Sequence, residues 1–242
     1  MTLAAGVTAT AIAPAANGAQ TKIKAIAFDG FPIIDPRPVF ARAEEIFPGQ
    51  GSELSNAWRI RQFEYTWLRS LGGRYVDFWQ VTEAALVFAA KSLKIELSAG
   101  QRDHLMQTYL ELKAWPDVAP ALQQLRDAGI RMAFLSNLTD AMLDAAVRNS
   151  GLEGFFEGHL STDKVSAFKP DSRAYQMGVD AFGLRKEQIA FAAFAGWDAA
   201  GAKWFGYPTF WVNRLNAPLE ELDAVPDGIG ASLGDLVKFV LA

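Results

Sequence analysis

The chain contains no cysteine among its 242 residues and only two histidines, His104 and His159. The absence of cysteine excludes disulfides, cysteine-ligated zinc and a thiol nucleophile. A Ser-His-Asp triad or a multi-histidine metal site would need one or both histidines, and neither lies in a motif typical of such sites. The remaining candidates for catalytic groups are carboxylates, hydroxyls and lysines.

Positive charge and long apolar runs are also scarce. The formal net charge is −4, whereas proteins that bind nucleic-acid phosphates carry clustered lysine and arginine. No run of about 18 apolar residues occurs, as a membrane-spanning helix would need. We therefore expect neither a nucleic-acid partner nor a membrane association, and the 50% hydrophobic content predicts a large folded core.

The segment 1–21 differs in composition from the rest of the chain. It is rich in alanine and threonine and carries no charged side chain. It resembles the apolar and cleavage regions of an export signal but lacks the basic start of one. We interpret it either as a tail or as the remnant of an export signal. The expected location is cytoplasmic, or periplasmic if this segment belongs to such a signal.

From Lys22 onward, short apolar segments alternate with helical patterns. Predicted strands lie at 24–28, 130–137, 188–196 and 208–213. Predicted helices between the later strands lie at 117–129, 140–151, 173–183 and 198–206. Helices that separate short apolar strands indicate a parallel sheet covered on both faces. The sequence therefore predicts an α/β fold with a doubly wound, Rossmann-like parallel sheet.

A long stretch after the first strand shows helical spacing and no strand signal. In this stretch Ser98 followed by Gln101 predicts a capping box at a helix start. We predict a Rossmann-like core domain formed by residues 22–38 and 115–242. An inserted all-helical cap domain would comprise residues 39–114.

Polar residues stand where several predicted strands end: Asp29, Ser136, Asn137 and the segment 194–198. Ligands of open α/β sheets bind at the carboxyl ends of the strands. An aspartate held by the turn after a strand can serve as a covalent nucleophile. The simpler interpretation of Asp29 is a cap on the next segment.

Three further positions have a structural and a functional interpretation. Lys169, in "AFKPDSRAY", is either a surface lysine or the partner that keeps a buried carboxylate ionised. The side chains of Ser136 and Asn137 could hold an anionic substrate group, or Asn137 or Thr139 could cap the next helix. Asp198, in "GWDAAGAKWFG", either caps a short helix or orients Lys169.

Taken together, the motifs resemble those of a known family. The first strand with its aspartate, "FLSN", "KPD" and the late acid resemble the haloacid dehalogenase superfamily. A narrower likeness, to the type II (S)-2-haloacid dehalogenases, lies in "EIFPGQGSELSNAWRIRQFEYTWLRSLGGRYVDFWQVTEAAL", "KPDSRAY" and "WDAAGAKWFGYPTFWVNR". The likeness covers nearly everything after Lys22, and it is the combination of motifs that is specific.

The resemblance implies a hydrolase that removes halide from short 2-haloacids. Asp29 would attack C2 of the substrate, expel the halide and form an ester that water hydrolyses. Arg59 matches the arginine that receives the departing halide, with Asn137 and Trp197 completing that cradle. Ser136 matches the residue that binds the substrate carboxylate.

The resemblance also assigns supporting roles. Lys169 and Asp198 match the pair that keeps the nucleophile charged and supports hydrolysis of the ester, and Tyr175 matches a supporting tyrosine. The apolar pocket would be lined by Phe31, Phe63, Phe78 and Trp197. The family likeness implies no metal and no organic cofactor. It also suggests a homodimer formed through the helical block.

The sequence departs from the family pattern at two places. Residues 31–34 read Phe-Pro-Ile-Ile where the family usually has Tyr-Gly-Thr-Leu, so a threonine hydroxyl is missing and the loop is one residue shorter. Ala193 and Ala195 stand where the family carries a serine and an asparagine that place the hydrolytic water. Because these groups serve the second half-reaction, an altered or non-catalytic relative is one alternative.

A magnesium-dependent phosphatase of the same superfamily is the other alternative. Such phosphatases usually carry an acid two residues after the nucleophile, which protonates the leaving alkoxide. Phe31 occupies that place and cannot donate a proton, whereas halide needs none. Magnesium prefers carboxylates and waters, and Asp163 and Asp171 are the only further helpers that we consider for it.

Overall fold

The computed structural model describes residues 22–242. The interpretation of residues 1–21 as a tail or export-signal remnant lies outside the described residues. Among those residues, every helix falls short of the length and apolar character that crossing a bilayer requires.

A parallel sheet forms the centre of the molecule. In the described part of the chain it has six strands in the order β3-β2-β1-β4-β5-β6. The strands are β1 Ala25–Phe28, β2 Arg131–Ser136, β3 His159–Ser161, β4 Ile189–Ala193, β5 Thr209–Val212 and β6 Gly228–Gly230. The strand order reverses at β1, where a crevice opens at the carboxyl edge of such sheets. Asp29 follows β1 directly and therefore lies at that crevice.

Helices cover the sheet and fill the long insertion after β1. The insertion contains α1 Arg37–Ile46, α2 Gly51–Leu71, α3 Phe78–Ser92 and α4 Ala99–Glu111. The remaining helices are α5 Val118–Asp127, α6 Asp140–Ser150, α7 Ser172–Phe182, α8 Gly196–Phe205 and α9 Leu233–Leu241. Ser98 and Gln101 form the predicted capping box at the start of α4, with backbone-to-side-chain bonds of 3.3 and 3.0 Å.

Both faces of the sheet are buried, which confirms the prediction of a doubly wound α/β fold. In β1, Ile26 and Phe28 pack into one apolar cluster, while Ala25 and Ala27 pack into another on the opposite face. Successive side chains of a strand point to opposite faces, so a strand that is apolar throughout requires cover on both sides.

The edge strands and the last helix were not predicted. Strand β3 has only three residues and is partly exposed, and β6 reads Gly-Ile-Gly. Neither offers the apolar run on which strand prediction depends. Helix α9 was not predicted either. Helix α1 begins at Arg37, beside Pro36.

The chain enters and leaves the helical insertion at one point. Ile34 and Ala114 form an antiparallel bridge. Beside it, the Asp35 N–H donates to Lys113 O at 2.8 Å and the Trp115 N–H donates to Ile33 O at 3.0 Å. This crossing is consistent with an inserted unit. The division into domains 22–38 plus 115–242 and 39–114 stays a prediction.

The insertion also contacts the segment that follows β3. The Tyr75 hydroxyl donates to the Asp163 carboxylate at 2.5 Å, and the Phe168 N–H donates to Ser70 Oγ at 2.9 Å. Tyr75 and Ser70 belong to the end of α2 and the loop after it, whereas Asp163 and Phe168 follow β3. The insertion therefore contacts the segments that follow β1 and β3 at the carboxyl edge of the sheet.

Candidate active site

Asp29 lies in a tight turn at the end of β1. Its Oδ1 accepts a hydrogen bond from Lys169 Nζ at 2.8 Å, and its Oδ2 lies 3.4 Å from the Phe31 N–H. Only glycine fits at position 30 without a rearrangement. A Cβ there would lie 2.6 Å from the Leu138 side chain and 3.0 Å from Ser136 Oγ. The turn thus presses the backbone after Asp29 against the end of β2.

Lys169 is buried between two carboxylates, with 1% of its side chain exposed. Its ammonium lies 2.8 Å from Asp29 Oδ1 and 2.5 Å from Asp198 Oδ2. Burial lowers the pKa of Lys169, but the attraction of Asp198 and Asp29 outweighs it, so the pKa lies above its ordinary value. The lysine is therefore the charged partner that the sequence suggested, and not a surface side chain.

Asp198 lies in the first turn of α8 and is buried with Lys169. Ala195 holds the N-cap position of α8, so of the two interpretations left open for Asp198 the structure shows the contact with Lys169. Burial raises the pKa of Asp198 to about 6; Lys169 opposes this rise, and the nearby charge of Asp29 adds to it. Two carboxylates and one ammonium leave an excess negative charge, which hydrogen bonds must stabilise.

Tyr175 supplies one of those bonds from α7. Its hydroxyl donates to Asp198 Oδ1 at 2.7 Å, and its ring is fully buried. Burial, followed by the charge of Asp198, raises the pKa of Tyr175 well above its ordinary value. Tyr175 therefore stays a hydrogen-bond donor. Its own carbonyl accepts from the Tyr207 hydroxyl at 2.6 Å.

Ser136 and Asn137 end β2 beside the nucleophile turn, and both are buried. Asn137 Oδ1 accepts from the Lys169 N–H at 3.0 Å, which leaves its amide hydrogens as donors. Ser136 Oγ accepts from the Leu138 N–H at 3.2 Å. The cap of α6 is Thr139, whose hydroxyl accepts from the Met142 N–H at 3.3 Å. Asn137 is therefore not used as a helix cap.

A small cavity of about 20 Å³ opens onto these side chains. It is lined by Asp29, Phe31, Phe63, Phe78, Ser136, Asn137, Leu138, Phe194, Ala195 and Trp197. A carboxylate, a hydroxyl and an amide thus face a space that is otherwise enclosed by aromatic and aliphatic groups. In such surroundings electrostatic interactions are stronger than in water.

A larger cavity of about 450 Å³ adjoins the small one. The two share Phe31, Phe63, Phe194, Ala195 and Trp197 as lining residues. An aromatic cluster stands at this border: the ring of Trp197 lies 5.2 Å from that of Phe63 and 5.5 Å from that of Trp67. Several exposed side chains also line the larger cavity, so it is open to solvent.

Arg59 is the sequence-predicted residue that the structure places apart from the others. It lies on α2, is exposed, and lines the larger cavity but not the small one. The remaining predicted residues lie together. The small cavity is lined by Asp29, Phe31, Phe63, Phe78, Ser136, Asn137 and Trp197. Lys169 bonds to Asp29, Asp198 bonds to Lys169, and Tyr175 bonds to Asp198.

Sequence reasoning missed the groups that hold the 30–34 loop, the segment that follows the nucleophile. Trp115 Nε1 donates to Phe31 O at 3.0 Å and to Ile34 O at 3.1 Å. The Arg214 guanidinium donates to Pro32 O at 2.9 Å and lies 4.7 Å above the Trp115 ring. Both residues are distant from the loop in sequence, so no local sequence pattern predicts their contacts with it. Leu138, as a wall of the small cavity, was also missed.

The carboxylates considered as magnesium helpers have other partners. Asp163 accepts from Tyr75, and Asp171 pairs with Arg173 at 2.7 Å at the start of α7. Within residues 22–242, no three histidine, aspartate or glutamate side chains gather as a metal site would need.

Comparisons with known proteins agree with this geometry. Residues 7–206 match the family model described as haloacid dehalogenase-like hydrolase. The chain is 42% identical over 217 residues to an (S)-2-haloacid dehalogenase of Pseudomonas sp. (strain YL), which covers 89% of this chain and 94% of that protein.

Solved structures give the same result. The fold superposes on that of an L-2-haloacid dehalogenase with a TM-score of 0.90 at 43% identity, covering 92% of this chain and 100% of the other. It also matches an L-2-haloacid dehalogenase from Xanthobacter autotrophicus with chloropropionic acid covalently bound, with a TM-score of 0.83 at 33% identity, covering 91% and 99% of the two chains. The resemblance given by the motifs is confirmed: the chain belongs to the haloacid dehalogenase-like hydrolases.

Proposed function

We propose that this protein removes halide hydrolytically from short 2-haloacids through an ester formed on Asp29. The observation that carries the proposal is the Asp29–Lys169 pair, 2.8 Å apart, at the wall of a small apolar cavity that also holds Ser136 and Asn137. Such a site offers a nucleophile and donors for an anionic group. Phe31 offers no proton, and a departing halide needs none, which disfavours the phosphatase alternative.

In the first half-reaction the Ser136 hydroxyl binds the substrate carboxylate. An oxygen of Asp29 attacks C2 from the side opposite the halogen, and the carbon–halogen bond breaks as the carbon–oxygen bond forms. The halide leaves with the bonding electrons, and Asp29 becomes a neutral ester. Lys169, held by Asp198, pairs with the Asp29 carboxylate before the attack.

The halide leaves toward Arg59. An in-line attack places the halogen on the far side of C2 from Asp29, and Phe63 and Trp197 line both the small cavity and the larger one that adjoins it. Arg59 lines the larger cavity and is exposed. It therefore attracts the anion out of the apolar space, with Trp197 and the amide of Asn137 at the start of the path.

In the second half-reaction water attacks the ester carbonyl of Asp29, releases a 2-hydroxy acid and restores the carboxylate. Ala193 is buried at the end of β4 and Ala195 lines the small cavity, so neither offers a hydrogen bond to this water. One missing donor can slow such a step by about 10²- to 10³-fold. Hydrolysis of the ester is therefore the slow step of this enzyme.

Replacing the nucleophile tests the proposed function directly. Asp29→Asn and Asp29→Ala should each lower chloride release from chloroacetate by at least about 10³-fold, because no other carboxylate of the site can take over the attack. Asp103→Asn, on the exposed face of α4, is the matched control and should keep wild-type activity. Chloride release that survives in both Asp29 variants would show that the mechanism is wrong.

Restoring a donor tests the slow step. Ala195→Asn should raise turnover by roughly 10- to 100-fold, because an amide positions the water, and Ala195→Leu adds similar bulk without a donor and should not. Mass spectrometry of enzyme quenched during turnover should find most of the wild type as an Asp29 ester and less of it in Ala195→Asn. If the wild type carried no ester under saturating substrate, hydrolysis of the ester would not be the slow step.

The pH dependence follows from Asp198. Its pKa is raised to about 6, so below that pH it becomes protonated and no longer holds the Lys169 ammonium; kcat/KM should therefore fall as the pH drops through about 6. The Tyr175 hydrogen bond lowers the pKa of Asp198. Tyr175→Phe should shift the acidic limb to higher pH, whereas Tyr207→Phe, which removes a buried hydroxyl that contacts neither carboxylate, should leave it in place. If the acidic limbs of the two variants fell at the same pH, the assignment of this limb to Asp198 would be refuted.

We also propose that the protein forms a homodimer through α2. Leu68 and Leu71 are 60% and 86% exposed, and Ile60 lies on the same face of the helix at helical spacing. Such exposed apolar strips mark contact surfaces. Light scattering should give about twice the chain mass of 26.4 kDa. Leu68→Glu with Leu71→Glu should give the monomer mass, and Trp204→Glu, at an exposed position of α8, should not.

A further inference from the structure

We infer that Tyr75, from the helical insertion, is a positioning residue for Lys169. It holds the segment 162–169 in place and, through that segment, the ammonium that pairs with Asp29. The inference rests on the proposed function and adds a residue to it. The small cavity is lined by other side chains, so the action of Tyr75 passes through Phe168, the residue that precedes Lys169.

Phe168 packs against two aromatic rings of the insertion. The Tyr75 ring lies 4.6 Å from the Phe168 ring at an angle of 33°, and the Phe78 ring lies 6.3 Å from it at 63°. Phe168 is fully buried, and its N–H donates to Ser70 Oγ at 2.9 Å. The insertion therefore holds both the ring and the backbone of the residue before Lys169.

The Tyr75 hydroxyl holds the start of the same segment. It donates to Asp163 Oδ1 at 2.5 Å, and Asp163 belongs to the single turn Thr162–Val165 that follows β3. Burial raises the pKa of Asp163, the Tyr75 hydroxyl opposes that rise, and the charges of Asp77 and Asp140 add to it. The tyrosine hydroxyl therefore stabilises a half-buried carboxylate that two nearby acids repel.

The segment between these two contacts has little regular structure of its own. Residues 166–169 form neither helix nor strand. Ser166 has a φ of 49°, in the left-handed region that residues other than glycine seldom adopt. The position of the segment therefore depends on contacts with neighbouring elements, and Tyr75 contributes at both of its ends, through Asp163 and through Phe168.

The ammonium of Lys169 tolerates little movement. It lies 2.8 Å from Asp29 Oδ1 and 2.5 Å from Asp198 Oδ2, with 1% of the side chain exposed. The Lys169 N–H also donates to Asn137 Oδ1 at 3.0 Å, which anchors its own backbone. Loss of the Tyr75 contacts should therefore loosen the ammonium between its two carboxylates without expelling it.

Removing the Tyr75 hydroxyl tests this role. Tyr75→Phe should lower kcat/KM for chloroacetate by roughly 10-fold, which is about what one hydrogen bond to a charged group contributes. Tyr75→Ala removes the ring as well and should cost more. Tyr65→Phe, on α2, where the ring packs against Phe88, is the matched control and should keep the wild-type value. A wild-type value for Tyr75→Phe would overturn the inference.

The acceptor of the hydrogen bond provides a rescue. Asp163→Asn keeps an oxygen that accepts from the Tyr75 hydroxyl and should stay close to the wild type in kcat/KM. Asp163→Ala should lose as much as Tyr75→Phe. The double variant should be no slower than either single variant, because residues that act as one contact are not additive. Additive losses would contradict the inference.

The acidic limb of the pH profile separates positioning from a loss of stability. Lys169 and the Tyr175 hydrogen bond lower the pKa of Asp198, and the charge of Asp29 raises it. A loosened Lys169 lowers this pKa less, so the limb of Tyr75→Phe should lie at higher pH than that of the wild type. A variant that only unfolds more easily loses activity with the limb in place, and that result would also overturn the inference.

Chemical labelling of Lys169 separates this inference from the proposed function, because it needs no turnover. Acetic anhydride reacts with accessible amines, and peptide mass spectrometry compares Lys169 with the exposed Lys94. Lys169 should be protected in the wild type and react faster in Tyr75→Phe and Asp163→Ala, with Lys94 unchanged. Equal protection in all three would overturn the inference even in an active enzyme. A wild type that releases no chloride, but whose Lys169 labelling responds to Tyr75→Phe, would instead refute the proposed function.

Discussion

The ammonium of Lys169, buried between Asp29 and Asp198, is the interaction on which the site depends. It joins the end of β1 to the first turn of α8, while the Lys169 N–H bonds to Asn137 at the end of β2. Removing one partner of a buried ion pair costs about 3–5 kcal/mol, because the remaining charge has no solvent. The cluster therefore fixes the relative positions of the ends of β1 and β2 and the start of α8, and it holds the Asp29 carboxylate beside an ammonium at the carboxyl edge.

Most of this arrangement was predictable, because polar residues at the ends of parallel strands must meet at one edge. The positions of Asp29, Ser136 and Asn137 follow from two short apolar strands and the family likeness. The exposure of Arg59 was not predictable, since it depends on how α2 lies over the sheet. The edge strands β3 and β6 escaped prediction because they are too short to carry an apolar pattern. The narrowness of the cavity arises from side chains of separate segments, whose packing no local rule describes.

The departures from the family pattern have different physical consequences. The short 30–34 loop lacks a threonine, yet Trp115 and Arg214 bind three of its carbonyls and hold its backbone beside Asp29. Asp117 in turn holds Arg214 at 3.0 Å. The loop is therefore well fixed despite its lost hydroxyl. The side chains of Ala193 and Ala195 offer no hydrogen bond, and in the proposed mechanism they bear on the delivery of water rather than on the attack on the substrate.

The double attachment of the helical insertion determines how molecules exchange with solvent. One attachment is the Ile34–Ala114 bridge, and the other is the Tyr75–Asp163 hydrogen bond with its neighbour at Phe168. An element tied down at two separated points cannot swing like a hinged lid without breaking one of them. Phe63 and Trp197 line both cavities, so rotation of their rings would open a passage between the two. Side-chain rotations in proteins are faster than domain motions, so opening this passage need not limit the rate of the catalytic cycle.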